Sequence, residues 1–182
     1  MARQMTVQLS ANDWLDLGLK VLAARGFTAL RAEPLAKAMG VSRGSFYWHF
    51  ADIGAYHAAI LKLWREVAAE QVIAGLEAAS EHDDPVALLF RRTFTARLSL
   101  EKAVRNWASF NAAARSAVQA IDQRRLGYVE ELLRRAGFAP EPAAARAHIL
   151  YWAFVGYALS DKPLSKTQQR TVIEELVRIA TP

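Results

Sequence analysis

The sequence contains no cysteine. This excludes a disulfide framework, thiolate zinc or iron–sulfur sites and a cysteine nucleophile, and it fits a reducing compartment. Proline and glycine are scarce, 6 and 9 among 182 residues, so few positions interrupt a regular backbone. Long apolar runs are also missing. The longest, Ile149 to Leu159, has 11 residues, about half of the roughly 20 that a spanning helix requires. The opening Met1-Ala2-Arg3-Gln4-Met5 leads straight into polar sequence, without the apolar stretch of a secretory signal. A soluble, cytoplasmic protein is expected.

What is present is apolar material in quantity: 53% hydrophobic against 23% charged residues, enough for a folded chain with one sizeable core. The formal net charge is +5, compatible with a polyanionic partner without requiring one. Its placement is uneven. Residues 1–50 carry six basic and three acidic groups, a net of +3, whereas residues 51–100 are net negative.

Apolar residues recur at three- and four-residue spacing, and no alternating β-branched runs appear, so the spacing predicts an all-α fold. Ser10 with Asp13 forms a capping-box pattern at the first helix, which stops at Arg25-Gly26. A second helix is expected near Glu33 to Met39, with Pro34 in its first turn, and a third from Arg43 to Phe50 with Ser42 as cap. Only Gly40-Val41-Ser42 separates them, which makes a helix-turn-helix. A long helix near Asp52 to Ala79 follows, with later ones near 85–98, 101–108, 112–136, 141–159 and 165–180, nine in all.

The third helix carries the chemistry. Phe46 and Phe50 share one face, while Arg43 and Tyr47 share a neighbouring stripe. Four consecutive residues, Tyr47-Trp48-His49-Phe50, span every face of a helix, so they cannot all be buried in so small a unit. In a DNA major groove Arg43 can reach phosphate or guanine. Ser45, Tyr47 and His49 can hydrogen-bond phosphate oxygens, and Trp48 can touch base edges or sugars.

Gly26-Phe27, Leu35-Ala36 and the run Gly40-Val41-Ser42-Arg43-Gly44-Ser45-Phe46-Tyr47-Trp48-His49-Phe50 resemble the DNA-binding signature of TetR-type transcriptional regulators. The resemblance is sharp over about residues 10–60 and architectural beyond. It implies a DNA-binding domain over residues 1–52 and a helical ligand-binding and dimerisation domain over residues 53–182. It further implies a homodimeric repressor that binds a palindromic operator and leaves it when a small molecule enters the second domain. Ser42, Arg43, Ser45, Tyr47, Trp48 and His49 match positions that touch DNA in the family. Glu33 falls where relatives often place a polar base-contacting residue. Arg31 stands where many relatives have a capping threonine, and offers a phosphate-facing cation. Ile53-Gly54 replaces the usual Lys-Glu, so Lys37 or Arg31 is left to take the place of the missing lysine.

In the later helices, Phe90, Phe94, Trp107, Phe110, Tyr128 and Tyr151 are the expected lining of a cavity for an apolar or aromatic effector, with His148 as its polar anchor. The helices near 141–159 and 165–180 are expected to form the dimer interface. The second of them offers Val172, Ile173, Leu176, Val177 and Ala180 for this. Arg91-Arg92, Arg124-Arg125 and Arg134-Arg135 read as solvated faces. No phosphate-binding glycine loop, His-Glu-x-x-His or Glu-x-x-His pair occurs. Histidines 49, 57, 82 and 148 lack metal-ligand spacing, and Asp83-Asp84 lies beside a proline in a loop. The residues therefore suggest neither an enzyme nor a metal or cofactor site.

Overall fold

The computed structural model describes residues 9–79, 84–96 and 98–182, and the regular structure among them is entirely helical. The elements are α1 (Ala11–Arg25), a short 3-10 turn (Phe27–Ala29), α2 (Ala32–Ala38), α3 (Arg43–Tyr47) and α4 (Ile53–Arg65). They continue as α5 (Gln71–Glu77), α6 (Pro85–Thr95), α7 (Ser99–Ala108), α8 (Ala112–Arg135), α9 (Pro140–Leu159) and α10 (Lys166–Ile179). Between α4 and α5 the chain stays helical through a five-residue π turn, Glu66–Glu70, in which Gln71 N–H donates to the Glu66 carbonyl. With α4, the π turn and α5 taken as one rod, the described residues form the nine expected helices. Residues 81–83 of the expected loop, with His82 and Asp83, lie outside the described residues.

Local chemistry sets the helix ends. The Ser10 side chain accepts from Asp13 N–H, and the Asp13 carboxylate accepts from the Ser10 N–H at 2.7 Å, closing the capping box. These bonds from Ser10 hold the Asp13 carboxyl below its usual range. Asp52 caps α4 through Ala55 N–H at 2.7 Å. Gly40, at φ +68°, makes the turn between α2 and α3 in a region that side chains with a Cβ seldom enter. Ser42 occupies the N-cap position of α3, but its hydroxyl makes no capping bond.

Among the described residues two apolar cores form. In the first, Phe46 is fully buried in an aromatic cage: Trp14 edge-on at 5.4 Å, Phe50 at 5.2 Å and Tyr56 at 5.2 Å between ring centroids. Tyr56 O–H donates to the Trp14 carbonyl at 2.8 Å, tying α4 to α1. Burial raises the Tyr56 phenol well above its ordinary range. This core does not stop at residue 52. It continues through Ile60, Trp64, Val104, Trp107 and Ile121, so α1 packs on α4 and α7 as one body.

The second core joins α5 and α6 to the C-terminal half of α8, α9 and α10. Here α10 departs from expectation. Ile173, Leu176 and Ala180 are buried inside the chain, and α10 packs on α6. The apolar stripe assigned to a second protomer is thus covered by the chain's own sixth helix. The exposed residues of α10 include Arg170, Glu174, Glu175 and Arg178. On α9, by contrast, Ile149, Trp152 and Leu159 are exposed and alternate with small Ala145, Ala153 and Gly156.

Candidate nucleic-acid interface and ligand cavity

The helix-turn-helix presents its polar side outward because its apolar residues are consumed by the Phe46 cage. Leu35, Ala36, Phe46 and Phe50 point inward. Arg31, Lys37, Ser42, Arg43, Tyr47 and Trp48 are exposed, with Trp48 at 88% of its full accessibility, and Ser45 and His49 are partly buried. Arg31, Lys37, Arg43 and Tyr47 line one open groove together with Glu33, Pro34 and Ile53. Arg43 Nη2 donates to the Tyr47 hydroxyl at 3.1 Å, and its guanidinium lies over the Tyr47 ring, 5.6 Å from the centroid. This contact steadies two long side chains one helical turn apart, so less ordering remains to be paid on binding. Glu33 is exposed among these cations and lowers the groove's positive potential at one edge. Gly54, also exposed, brings no side chain to the start of α4.

Three cations, a phenol and an indole on one solvent-facing surface fit the footprint of a duplex-binding helix, in which cations meet phosphates and aromatic groups meet base edges. Residues 15–55 match the family described as bacterial regulatory proteins, tetR family. The helix-turn-helix domain belongs to the TetR family. Beyond that domain the likeness is one of fold. The chain is similar to the reduced form of E. coli NemR, with 20% identity and a TM-score of 0.74 over 93% of this chain and 96% of that one. It is also similar to the fatty acid degradation regulator FadR from Bacillus halodurans, with 12% identity and a TM-score of 0.69 over 98% and 96%. AibR, in complex with isovaleryl coenzyme A and operator DNA, aligns with 15% identity and a TM-score of 0.65 over 92% and 95%. No curated protein matches at significance.

The TetR-family domain leans on the rest of the chain through a second aromatic group. Phe27 stacks on Trp107 at 4.5 Å, and the His57 ring stands edge-on to both. Because a carbonyl only accepts, His57 Nε2–H donates to the Leu30 carbonyl at 2.9 Å. Trp107 therefore packs where the Phe27 turn and α4 meet α7, and with Phe110 it lines an open groove there. Phe110, 63% exposed, flanks the same contact 5.7 Å from Phe27.

A separate cavity of about 70 Å³ lies in the second core. Of the residues expected to form a ligand site, Phe90, Phe94, Tyr128 and Tyr151 line it, and Trp107, Phe110 and His148 do not. His148 is exposed on α9, where its Nδ1 bonds the Ala144 carbonyl at 2.9 Å and its ring meets Trp152. The charged group in the wall is instead Arg125, which the sequence pattern placed on a solvated face. Its position was legible, since Arg125 falls on the i, i+3, i+4 stripe of Val118, Ile121, Tyr128 and Leu132, all of them buried.

Arg125 belongs to a nearly buried network at the junction of the two cores. Its Nη1 and Nη2 donate to the Glu101 carboxylate at 2.9 and 3.0 Å, and Glu101 also accepts from Arg105 Nε at 2.8 Å. Arg105 spans Asp122 with Nη1 and Nη2 at 3.2 and 2.6 Å, and Tyr151 O–H donates to the same aspartate at 2.6 Å. Two guanidinium and two carboxylate charges balance, as burial demands. Burial pushes the Tyr151 phenol up to about 12, aided by its bond to Asp122. For both arginines burial acts to lower the pKa, but their carboxylate partners more than offset it and hold them firmly cationic. Among the described residues no helix is long and apolar enough to cross a membrane.

Proposed function

We propose that this chain is a ligand-responsive transcriptional regulator, a dimeric repressor that grips a palindromic operator through α2 and α3 and is released by a small apolar or aromatic effector. The observation that carries the reading is the outward presentation of Arg43, Tyr47 and Trp48 beside the Arg31–Lys37 groove, in a domain of the TetR family. Arg31, Lys37 and Arg43 contact phosphates. Ser42, whose hydroxyl makes no capping bond, joins Ser45 and His49 at the backbone, and Tyr47 and Trp48 lie against sugars and base edges. Residues 1–52 do the binding, and residues 53–182 hold the effector and the partner protomer. No catalytic step is required.

The effector enters the cavity walled by Phe90, Phe94, Tyr128 and Tyr151, whose surface is almost wholly apolar. The neighbour AibR, captured with both an acyl coenzyme A and operator DNA, supports a regulator that handles two ligands. Dimerisation uses the exposed α9 face of Ile149, Trp152 and Leu159, where Ala153 and Gly156 let a second helix approach closely, and the polar outer face of α10 forms its rim. Two-fold symmetry then presents two α3 helices to successive major grooves, about 34 Å apart. A gel shift with the DNA flanking the chain's own reading frame tests the reading. A discrete, competable complex is expected. Binding that unrelated DNA removes equally well, or no binding, would leave an interaction module without operator specificity.

A further inference from the structure

Arg125 touches three things at once: the cavity, the π turn and α7. Besides its bonds to Glu101, its Nε and Nη2 donate to the Ala68 carbonyl at 3.3 and 3.1 Å. Its guanidinium also lies over the Phe154 ring in the cavity wall, 5.2 Å from the centroid. Ala68 lies inside the π turn that joins α4, the rod rising from the DNA-facing domain, to α5. Replacing i→i+4 bonds by i→i+5 bonds interrupts the helix ladder, and a side chain that bonds into the ladder is a recognised cause of such irregularity. The turn sits where the two cores meet, with its own Ala69 in the first and Ile73 of the adjoining α5 in the second. Through Glu101 the same guanidinium holds α7, which packs on α1. Arg125 thus reaches both supports of the DNA-facing domain.

The cavity encloses little space. Its volume of about 70 Å³ is less than half of the roughly 150 Å³ that accepts benzene. A ligand larger than that must extend through the cavity's open side or move the wall, and the π turn is the part of the wall with an interrupted backbone ladder. Ala68, Ala69 and Val72 all line the cavity. The ligand's charge follows from the network: Arg125 is already paired with Glu101 and bonded to Ala68, and the four charges balance.

We infer that Arg125 is the positioning residue that couples the cavity to the DNA-binding domain, and that the cavity's occupant is a neutral apolar molecule that parts Arg125 from the Ala68 carbonyl and lets the π turn change register. The inference rests on the regulatory reading above and adds to it the route of the signal. An uncharged ligand leaves the ion pairs intact and competes only for the space between Arg125, Phe154 and the turn. An anionic one adds an unbalanced charge beside Glu101.

The test compares the wild-type protein with R125K, which keeps a cation for Glu101 but loses the planar fork that reaches Ala68. Three quantities are measured: amide hydrogen exchange over residues 66–73, binding of neutral 1-N-phenylnaphthylamine and of anionic 8-anilinonaphthalene-1-sulfonate, and operator affinity with and without the neutral probe. In the wild type the neutral probe is expected to bind at least tenfold tighter than the anionic one, to speed exchange over 66–73 and to weaken operator binding at least tenfold. In R125K exchange over 66–73 is already fast without probe, the probe still binds, and its effect on operator affinity shrinks to within twofold. A merely structural role for Arg125 would instead lower thermal stability and leave the probe's tenfold effect in place. That result, or unchanged exchange in R125K, overturns the inference, and equal binding of the two probes overturns the neutral-ligand part. If the wild type binds no operator, the regulatory reading fails by itself, and the exchange comparison still decides whether Arg125 holds the turn. If R125K does not fold, R125Q, which removes the charge and keeps a planar donor, is measured in the same way.

Discussion

Glu101 is the most demanding position in the fold. Its side chain is only 5% exposed, yet it accepts three hydrogen bonds from two guanidinium groups, at 2.8, 2.9 and 3.0 Å. Glu101→Gln keeps the shape, removes the charge, and turns one acceptor into an amino group that faces other donors. Arg105 and Arg125 are then left with Asp122 as their one carboxylate partner in the network, and Asp122 is one-third exposed. Breaking a buried pair by removing one partner costs about 3–5 kcal/mol. The partial access of Asp122 to water favours the lower end, about 3 kcal/mol. For a chain of this size, in which 1 kcal/mol shifts Tm by about 2–4 °C, Tm should fall by roughly 9 °C. Urea denaturation followed by circular dichroism measures the loss directly. The double variant E101Q/R125M restores charge balance, so it should be more stable than the sum of the single losses by about 1–3 kcal/mol. A loss below about 1 kcal/mol in E101Q, or strictly additive effects in the cycle, would refute the claim that the network is a mutually dependent unit.

Three further outcomes are expected. Gly18→Ala would place a Cβ 2.1 Å from Tyr56 Oη and 2.5 Å from Ile60 Cδ1, where α1 and α4 touch. Overpacking of this kind costs about 1–3 kcal/mol, and thermal melts should show the loss, whereas an unchanged Tm would mean that the helices separate freely. Tyr151 holds its proton up to about pH 12 in the fold, against about 10 in an unfolded chain. Its contribution is therefore complete below pH 10 and is lost as pH rises to 12, by roughly 2–3 kcal/mol. Tyr151→Phe should flatten the decline in stability over that window, and an identical slope would contradict the assignment. Trp48→Ala, at a residue 88% exposed, should change stability by no more than about 0.5 kcal/mol while weakening operator binding about tenfold. Wild-type affinity would remove Trp48 from the DNA face.

Much of the fold was legible because its signals are local. Ser10 and Asp13 marked the start of α1, Gly40 the turn, Asp52 and Pro85 the starts of α4 and α6, and all act within one helical turn. Hydrophobic spacing marked the rest. The recognition surface was legible for a related reason: once Phe46 and Phe50 were assigned inward, helix geometry put Arg43, Tyr47 and Trp48 outward. Long-range pairing was not legible. The stripe Ile173, Leu176 and Ala180 fits a second protomer or α6 equally well, and only the path of the chain decides for α6. Arg125 was taken for surface because it stands beside Arg124, which is exposed and pairs with Glu70. Its stripe told more than its neighbour did. Glu101 shows the same pattern, sharing a face with Val104 and Ala108, both buried. The π turn has no sequence signal, since Glu-Val-Ala-Ala-Glu is ordinary helix-forming composition. The side chain bonded to it comes from 57 positions away.

The central claim, that the α2–α3 surface grips DNA, is tested most directly by the salt dependence of operator affinity. A dimer using Arg31, Lys37 and Arg43 on each protomer neutralises about six phosphates. The slope of log K against log salt should then be about −5, a loss near 10³-fold between 50 and 200 mM. Fluorescence anisotropy with a labelled operator fragment measures that slope. Lys37→Ala, which removes one contact per protomer, should reduce its magnitude by about 2. A slope that Lys37→Ala and Arg43→Ala both leave unchanged would place the DNA on another face of the molecule and contradict the account.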